Sequence, residues 1–224
     1  PQYFQAVNGV DTFSTGLRLL PLIGGLMVGA KTADRLVSAS GAKVAAAAGF
    51  AFMAGGLAIG TATDTDSAYG FVAAWTILCG IGLGLSLPAT MSAALNQLSA
   101  ERSGTDSALI MAFRQVGGTI GVALLGSVLN HGYRAKLNLE GLPDAVADAV
   151  RKSVTAGVAA SRKIGSDELL SQVHHAFLHG MSLLLWVCGG IALAGFALSL
   201  LFLPGRIAAQ AKDRPHAAAP SDPL

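Results

Sequence analysis

Apolar residues fall in five long blocks separated by short polar interruptions: residues 15–33, 43–62, 69–95, 107–130 and 177–203. About 20 consecutive apolar residues carry a helix across the hydrocarbon layer, so each block predicts one membrane-spanning helix. The gaps in charge agree, since no Asp, Glu, Lys or Arg occurs at 67–100, 115–133 or 169–205. The block 15–33 is the least apolar because Arg18 and Lys31 lie in it. Both are near its ends, where a long side chain can reach the headgroups while its stem stays in lipid. The fold class expected is therefore an all-α integral membrane protein with about five spans.

The connections predict the rest of the organisation. Residues 34–42 and 63–67 are short joints, 96–106 is a third, and 131–176 is a long segment before the last span. Within that segment Leu142, Val146, Val150, Val154 and Val158 recur every four residues, which makes a single apolar stripe on a helix. An amphipathic helix lying on the membrane or on the protein's own outer face is expected there, with a partner-docking helix as the less favoured alternative. Residues 1–14 read as the end of a preceding helix and an outer loop, and 204–224 as a disordered tail. The first residue is Pro1 and no signal-like segment follows it, so the sequence reads as a portion of a longer chain.

Composition narrows the class further. The 224 residues are 52% hydrophobic and 12% charged, with a mean hydropathy of +0.56, whereas soluble domains carry about 25% charge. The formal net charge of +2 is scattered through the connections, so a nucleic-acid surface is not expected. Lys31, Arg35 and Lys43 flank the first joint, Arg102 lies in the third, and Arg206, Lys212 and Arg214 follow the last span. Neither 63–67 nor 1–14 holds a basic residue. By the positive-inside rule the first and third joints and the C-terminus face the cytoplasm, as in a multi-pass protein of the plasma membrane, the inner membrane of a bacterium. One segment opposes this orientation: 131–176, then outside, carries Arg134, Lys136, Arg151, Lys152, Arg162 and Lys163. Its acids, Glu140, Asp144, Asp148, Asp167 and Glu168, count little in that rule.

Few residues offer chemistry. Cys79 and Cys188 sit in the middle of apolar spans without a neighbouring thiol and read as small core fillers. His174 and His179 are five apart, a poor spacing for one helix face, and with His175 they do not make a metal site. No Ser/His/Asp or Cys/His constellation and no phosphate-cradling glycine loop is present, so neither an enzyme nor a nucleotide-driven pump is expected, and no cofactor. Glycines recur one turn apart at Gly25/Gly29, Gly56/Gly60, Gly80/Gly84 and Gly117/Gly121, a spacing that lets helices approach closely in lipid. Pro88 lies in the third span and predicts a weak point or kink there. Arg114 lies about two turns into the fourth span, where a guanidinium facing lipid costs several kcal/mol. It is expected to face protein or water, as a substrate contact, a charge-coupling group or a gate, or else to bond carbonyls or acids near the cytoplasmic interface.

Two sets of motifs carry a resemblance. The stretch Gly29-Ala30-Lys31-Thr32-Ala33-Asp34-Arg35, followed by Gly41-Ala42-Lys43, resembles the cytoplasmic loop motif of the major facilitator superfamily. The glycine-to-aspartate spacing is one residue longer, the gap to the second glycine is stretched, and Ala42 stands where a basic residue is usual. Glu101-Arg102-Ser103-Gly104 with Phe113-Arg114-Gln115-Val116-Gly117-Gly118-Thr119-Ile120-Gly121 resembles the penultimate span of the fourteen-span drug:proton antiporter (EmrB/QacA-like) branch. Gln2-Tyr3-Phe4-Gln5, Gly16-Leu17-Arg18-Leu19-Leu20-Pro21 and Gly80-Ile81-Gly82-Leu83-Gly84 with Pro88 are similar to the same branch, so the resemblance covers about residues 1–204.

The resemblance implies a C-terminal portion of the transporter, its five spans being the last five of fourteen. The first, third and fourth then line a central cavity, with Arg114, Gln115, Pro88, Gly84, Gly117 and Gly121 as cavity or gate candidates and Gly29, Asp34, Arg35, Gly41 and Lys43 as the loop motif. It implies export of amphipathic, often cationic small molecules by alternating access, driven by a proton gradient, with the lipid bilayer and the N-terminal half of the same transporter as partners. No acid lies deep in the five spans, so the proton-carrying groups are expected in that other half. A metabolite permease of the same fold is one alternative; a non-transporting sensor or scaffold, with Arg114 structural, is another.

Overall fold

A computed structural model describes residues 2–95, 103–139 and 141–203. Glu101 and Arg102 of the second motif, Glu140, and the basic residues Arg206, Lys212 and Arg214 lie outside the described residues. Among the described residues the secondary structure is helical throughout: a π-helical turn at Tyr3–Val7, then α1 (Thr12–Arg18), α2 (Leu20–Ser40), α3 (Ala42–Gly60), α4 (Tyr69–Leu95), α5 (Ser103–Ala135), α6 (Asp144–Lys152), α7 (Val154–Ile164) and α8 (Asp167–Phe202). Five stretches are long and apolar enough to cross a membrane: Thr12–Ser40 (α1 with α2), α3, most of α4, Ser107–Ala135 in α5, and α8.

The helices overrun the apolar blocks wherever local chemistry lets them continue. Residues 34–42 were expected as a connection, yet α2 runs on to Ser40, and Gly41 alone separates it from α3. Asp34 and Arg35 mark the end of an apolar block but do not break a helix. The turn comes at Gly41, whose φ of 89° suits glycine and whose N–H donates to the Val37 carbonyl at 2.9 Å. Likewise α8 starts at Asp167 rather than at 177, because the Ser166 hydroxyl caps the Leu169 N–H and two acids occupy the first turn. Its 36 residues rise about 54 Å, well beyond a hydrocarbon layer of about 30 Å, so one end projects. The interruption between α1 and α2 falls at Leu19, two residues before Pro21, which has no N–H to extend the ladder.

Helix α4 is the centre of the packing, meeting α2 on one face and α3 on another. Small residues make both seams. A Cβ added at Gly25 would stand 2.5 Å from the Ile77 carbonyl oxygen, one at Gly82 would stand 2.6 Å from that of Gly49, and Gly29 and Gly84 face each other across the α2–α4 contact. Gly56 and Gly60 hold the other end of the α3–α4 seam, against Cys79 and the Trp75 ring. Cys79 is buried there as filler. Helix α8 packs along α3, with Gly195 under the Phe50 ring, and touches α5 where Gly132 meets Gly180. Backbone-to-backbone contact of this kind replaces the hydrophobic drive that lipid cannot supply.

The long segment folds into a cap over one end of α5 and α8. The single stripe expected for it is broken at Ser153, whose extended backbone (φ −167°, ψ 157°) ends α6 and whose hydroxyl caps α7 through the Ala156 N–H at 3.1 Å. The stripe survives the break, since Val150, Val154 and Val158 are all buried with Tyr133, Leu169, Val173 and Phe177 and with Tyr3 and Phe4 of the N-terminal turn. It faces the protein's own surface, not lipid.

Candidate functional site

Among the described residues helix α5 packs closely at one end and meets only α4 near its start. Its capped half is fixed by Gly132, Tyr133 and Leu129, whereas every residue from 111 to 120 is exposed. Arg114, Gly117 and Gly121 fall on one face of the helix, with Ile110 one turn before them; Gln115 lies about 100° round from Arg114. Phe113, Val116 and Ile120 form a separate apolar face, each more than half exposed. The face of Arg114 thus carries one charge and, after Ile110, two glycines, and the face of Phe113 carries bulk and no charge.

Arg114 lies at the mouth of an open groove between α5 and α4, of about 260 Å³, whose other walls are Leu87, Thr90, Met91, Ala94 and Ile110. Pro88 is half-buried on the same stretch of α4. The proline leaves the Gly84 carbonyl without an i+4 donor, yet α4 runs unbroken from Tyr69 to Leu95. Beside it the Thr90 hydroxyl donates to the Ser86 carbonyl at 2.7 Å. Among the described residues Arg114 has no ion pair and no side-chain hydrogen bond. The Thr119 hydroxyl donates to the Gln115 carbonyl at 3.0 Å, so that hydroxyl is satisfied within α5.

The remaining predicted residues separate. Gly84 is buried in the α2–α4 seam, against Leu26, Ala30 and Gly29, and does not line the groove; its lack of a side chain is used for helix contact. Gly117 and Gly121 show the reverse: no atom lies within 4 Å of where their Cβ would be, so the spacing that predicted packing has no partner among the described residues. Of the loop motif, Gly29 belongs to the seam and Gly41 to the turn, while Asp34 and Arg35 are exposed on the last turns of α2 and Lys43 is half-buried in the first turn of α3. Asp34, Arg35 and Lys43 form no ion pair among the described residues.

Two arrangements escaped the sequence reading. Arg18 sits over two aromatic rings, 5.6 Å from the Phe4 centroid and 5.9 Å from that of Tyr69, so the charge expected to reach for headgroups is held by cation–π contact. Phe4 was visible in the motif at 2–5, but its distance from Tyr69 along the chain hid the pairing. His175 and His179, four apart, share one face of α8 and border a groove of about 520 Å³ with Lys136, Glu168 and Gln172.

No family model matches the chain. It is 30% identical over 211 residues to the tetracenomycin C resistance and export protein of Streptomyces glaucescens, a match covering 88% of this chain and 39% of that protein. It is 34% identical over 157 residues to the multidrug resistance protein Stp of Mycobacterium tuberculosis, covering 70% of this chain and 29% of the relative. A third relative, the uncharacterized MFS-type (major facilitator) transporter YcnB of Bacillus subtilis, is 30% identical over 202 residues, with 89% and 35% covered. The chain therefore spans between 29% and 39% of the length of these curated relatives.

Proposed function

Because this chain belongs to the major facilitator superfamily of transporters and is related to its drug-resistance members, we propose that it forms part of an exporter of amphipathic small molecules. The observation that carries the proposal is the contrast along α5. Helices α2, α3 and α4 close on one another through glycine seams, while the face of Arg114, Gly117 and Gly121 is left open beside a groove. A guanidinium at that depth is tolerated only against protein or water, at a saving of several kcal/mol over lipid. The open face is the wall of the transport path, met on its far side by another part of the transporter. Gly117, Gly118 and Gly121 keep that wall flat enough for a planar, apolar substrate body to slide along it.

In this reading the glycine seams make α2, α3 and α4 a rigid unit that rocks as a block, with the substrate route opening alternately at each end of α5. The α2–α3 turn at Gly41 faces the cytoplasm and the α6–α7 cap faces outward, following Lys31, Arg35 and Lys43 around that turn. Transport is driven by proton entry through acids located elsewhere in the transporter. Arg114 contributes a fixed positive charge near the cytoplasmic mouth, positioned to interact with the polar end of a substrate or with an acid of the facing half.

The full-length transporter in inverted membrane vesicles tests this directly. A pH gradient is expected to drive accumulation of a fluorescent amphipathic dye with a neutral or anionic polar end, and Arg114→Ala to reduce the rate about tenfold with normal membrane levels. Unchanged flux over a broad substrate panel, or misfolding of both Arg114→Ala and Arg114→Lys, contradicts the proposal.

A further inference from the structure

The capped end of the molecule carries a second feature that the transport path does not use. Arg134, in the last turn of α5, donates from Nε to the main-chain carbonyl of Arg151, in the last turn of α6, at 3.2 Å. That bond ties the cap to the spanning helix and sets two guanidinium groups along one open groove of about 600 Å³, whose other walls are Leu137, Asn138 and Leu139. The bond takes one of Arg134's five N–H donors. Arg151 is opposed by Asp148 at a loose 3.9 Å, with both side chains largely exposed, a pairing worth little in water. Lys136 and Lys152, adjacent in sequence to the groove, are also exposed.

Position decides what such a groove can hold. The stretch Ser107–Ala135 is long and apolar enough to span a bilayer, and Arg134 is at its very end, where such a span leaves the hydrocarbon layer. Two cations there, beside the partly exposed edges of Leu137 and Leu139, which otherwise pack on the core of the cap, match a phosphate with an apolar body attached. Free phosphate would use the arginines but gain nothing from Leu137 and Leu139. Arginine, with its planar fork, is the residue best suited to two-point contact with phosphate oxygens. We propose that the Arg134–Arg151 groove binds the phosphate headgroup of an anionic phospholipid, with the exposed edges of Leu137 and Leu139 beside the lipid's glycerol portion. The basic residues of 131–176, which oppose the positive-inside rule, then have a local role: they anchor the cap to the leaflet it faces. The site rests on the membrane placement of α5 and is independent of substrate or transport direction.

The test uses the full-length transporter in neutral detergent, titrated with phosphatidylglycerol, with phosphatidylcholine and with inorganic phosphate, reading the thermal unfolding midpoint and lipid retained in native mass spectrometry. Phosphatidylglycerol is expected to raise the midpoint and remain bound, and the other two to do neither. Arg151→Gln keeps the main-chain carbonyl that Arg134 needs, so it is expected to keep the unliganded midpoint while weakening phosphatidylglycerol about fivefold, the effect of one surface cation on anionic lipid. Arg151→Lys is expected to retain most of the binding. Equal retention of phosphatidylglycerol by wild type and Arg151→Gln overturns the site, and protection by inorganic phosphate alone overturns the lipid assignment. Lipid binding without drug flux would leave the groove standing and count against the exporter reading alone.

Discussion

The Tyr133 hydroxyl donates to the main-chain carbonyl of Val150 at 2.9 Å, in a buried contact that fastens the cap to the end of α5. Around it Val154, Val158, Val173 and Phe177 exclude water, so the carbonyl has no alternative donor of comparable quality. Tyr133→Phe leaves that acceptor unmet, at a cost of about 1–3 kcal/mol. The loss is expected to be local: faster amide hydrogen exchange across 144–164 in the full-length transporter, with little change in α3 and α4. Uniform acceleration, or none, would show that the cap is held by something else.

Equal spacing of glycines hides unequal roles, and substitution separates them. Alanine at Gly84 would place its Cβ 2.6 Å from the Ala30 nitrogen and 2.9 Å from Gly29 Cα, so Gly84→Ala must push α2 away from α4. A loss of about 1–3 kcal/mol is expected, read as a lower unfolding midpoint in detergent. Gly117→Ala meets no atom within 4 Å and is expected to hold or slightly raise the midpoint, since alanine favours helix by about 1 kcal/mol over glycine. Its effect should appear in transport instead. A midpoint drop in Gly117→Ala as large as that in Gly84→Ala would place an unseen helix tightly against α5.

Acid should loosen the start of α1 before it affects the seams. The Asp11 carboxylate accepts from the Ser14 and Phe13 N–H groups at 3.2 and 3.1 Å, and hydrogen bonding from Ser14 first, then from Phe13, holds its pKa below the usual carboxylate value. A depressed pKa means the cap contributes fully above the unfolded value of about 4 and is lost as pH falls through the folded value. Hydrogen exchange at Phe13 and Ser14 is expected to accelerate below about pH 4 beyond its intrinsic pH dependence, and Asp11→Asn to remove that step. An identical pH profile in Asp11→Asn would rule out the cap as its source.

The five spans were legible because bilayer thickness imposes a length and a polarity that a sequence displays directly. Helix ends were less so. Asp34 and Arg35 mark where an apolar block stops, and α2 continues for another turn and more because only Gly41 stops a helix there. The stripe from Leu142 to Val158 showed its buried face but not its break, since Ser153 fits a helix surface as readily as a cap until its φ of −167° is known. The candidate site was half legible. Arg114 stood out by the cost of its charge, but Gly84 and Gly117 share a motif and differ only in what lies opposite, which spacing cannot encode. Arg18 with Phe4 and Tyr69 is of the same kind, a contact between residues far apart in sequence.

The central claim, that one face of α5 borders a water-filled route, is tested most directly by cysteine accessibility. In a full-length transporter with Cys79 and Cys188 replaced by alanine, single cysteines at 110, 113, 114, 116, 117, 120 and 121 are treated with a charged, membrane-impermeant thiol reagent in inverted and right-side-out vesicles. The expected result is labelling at 110, 114, 117 and 121, reduced by a transported substrate, with 113, 116 and 120 unreactive in lipid. Labelling of 113, 116 and 120 with protection of 114, 117 and 121 in both vesicle orientations would contradict it.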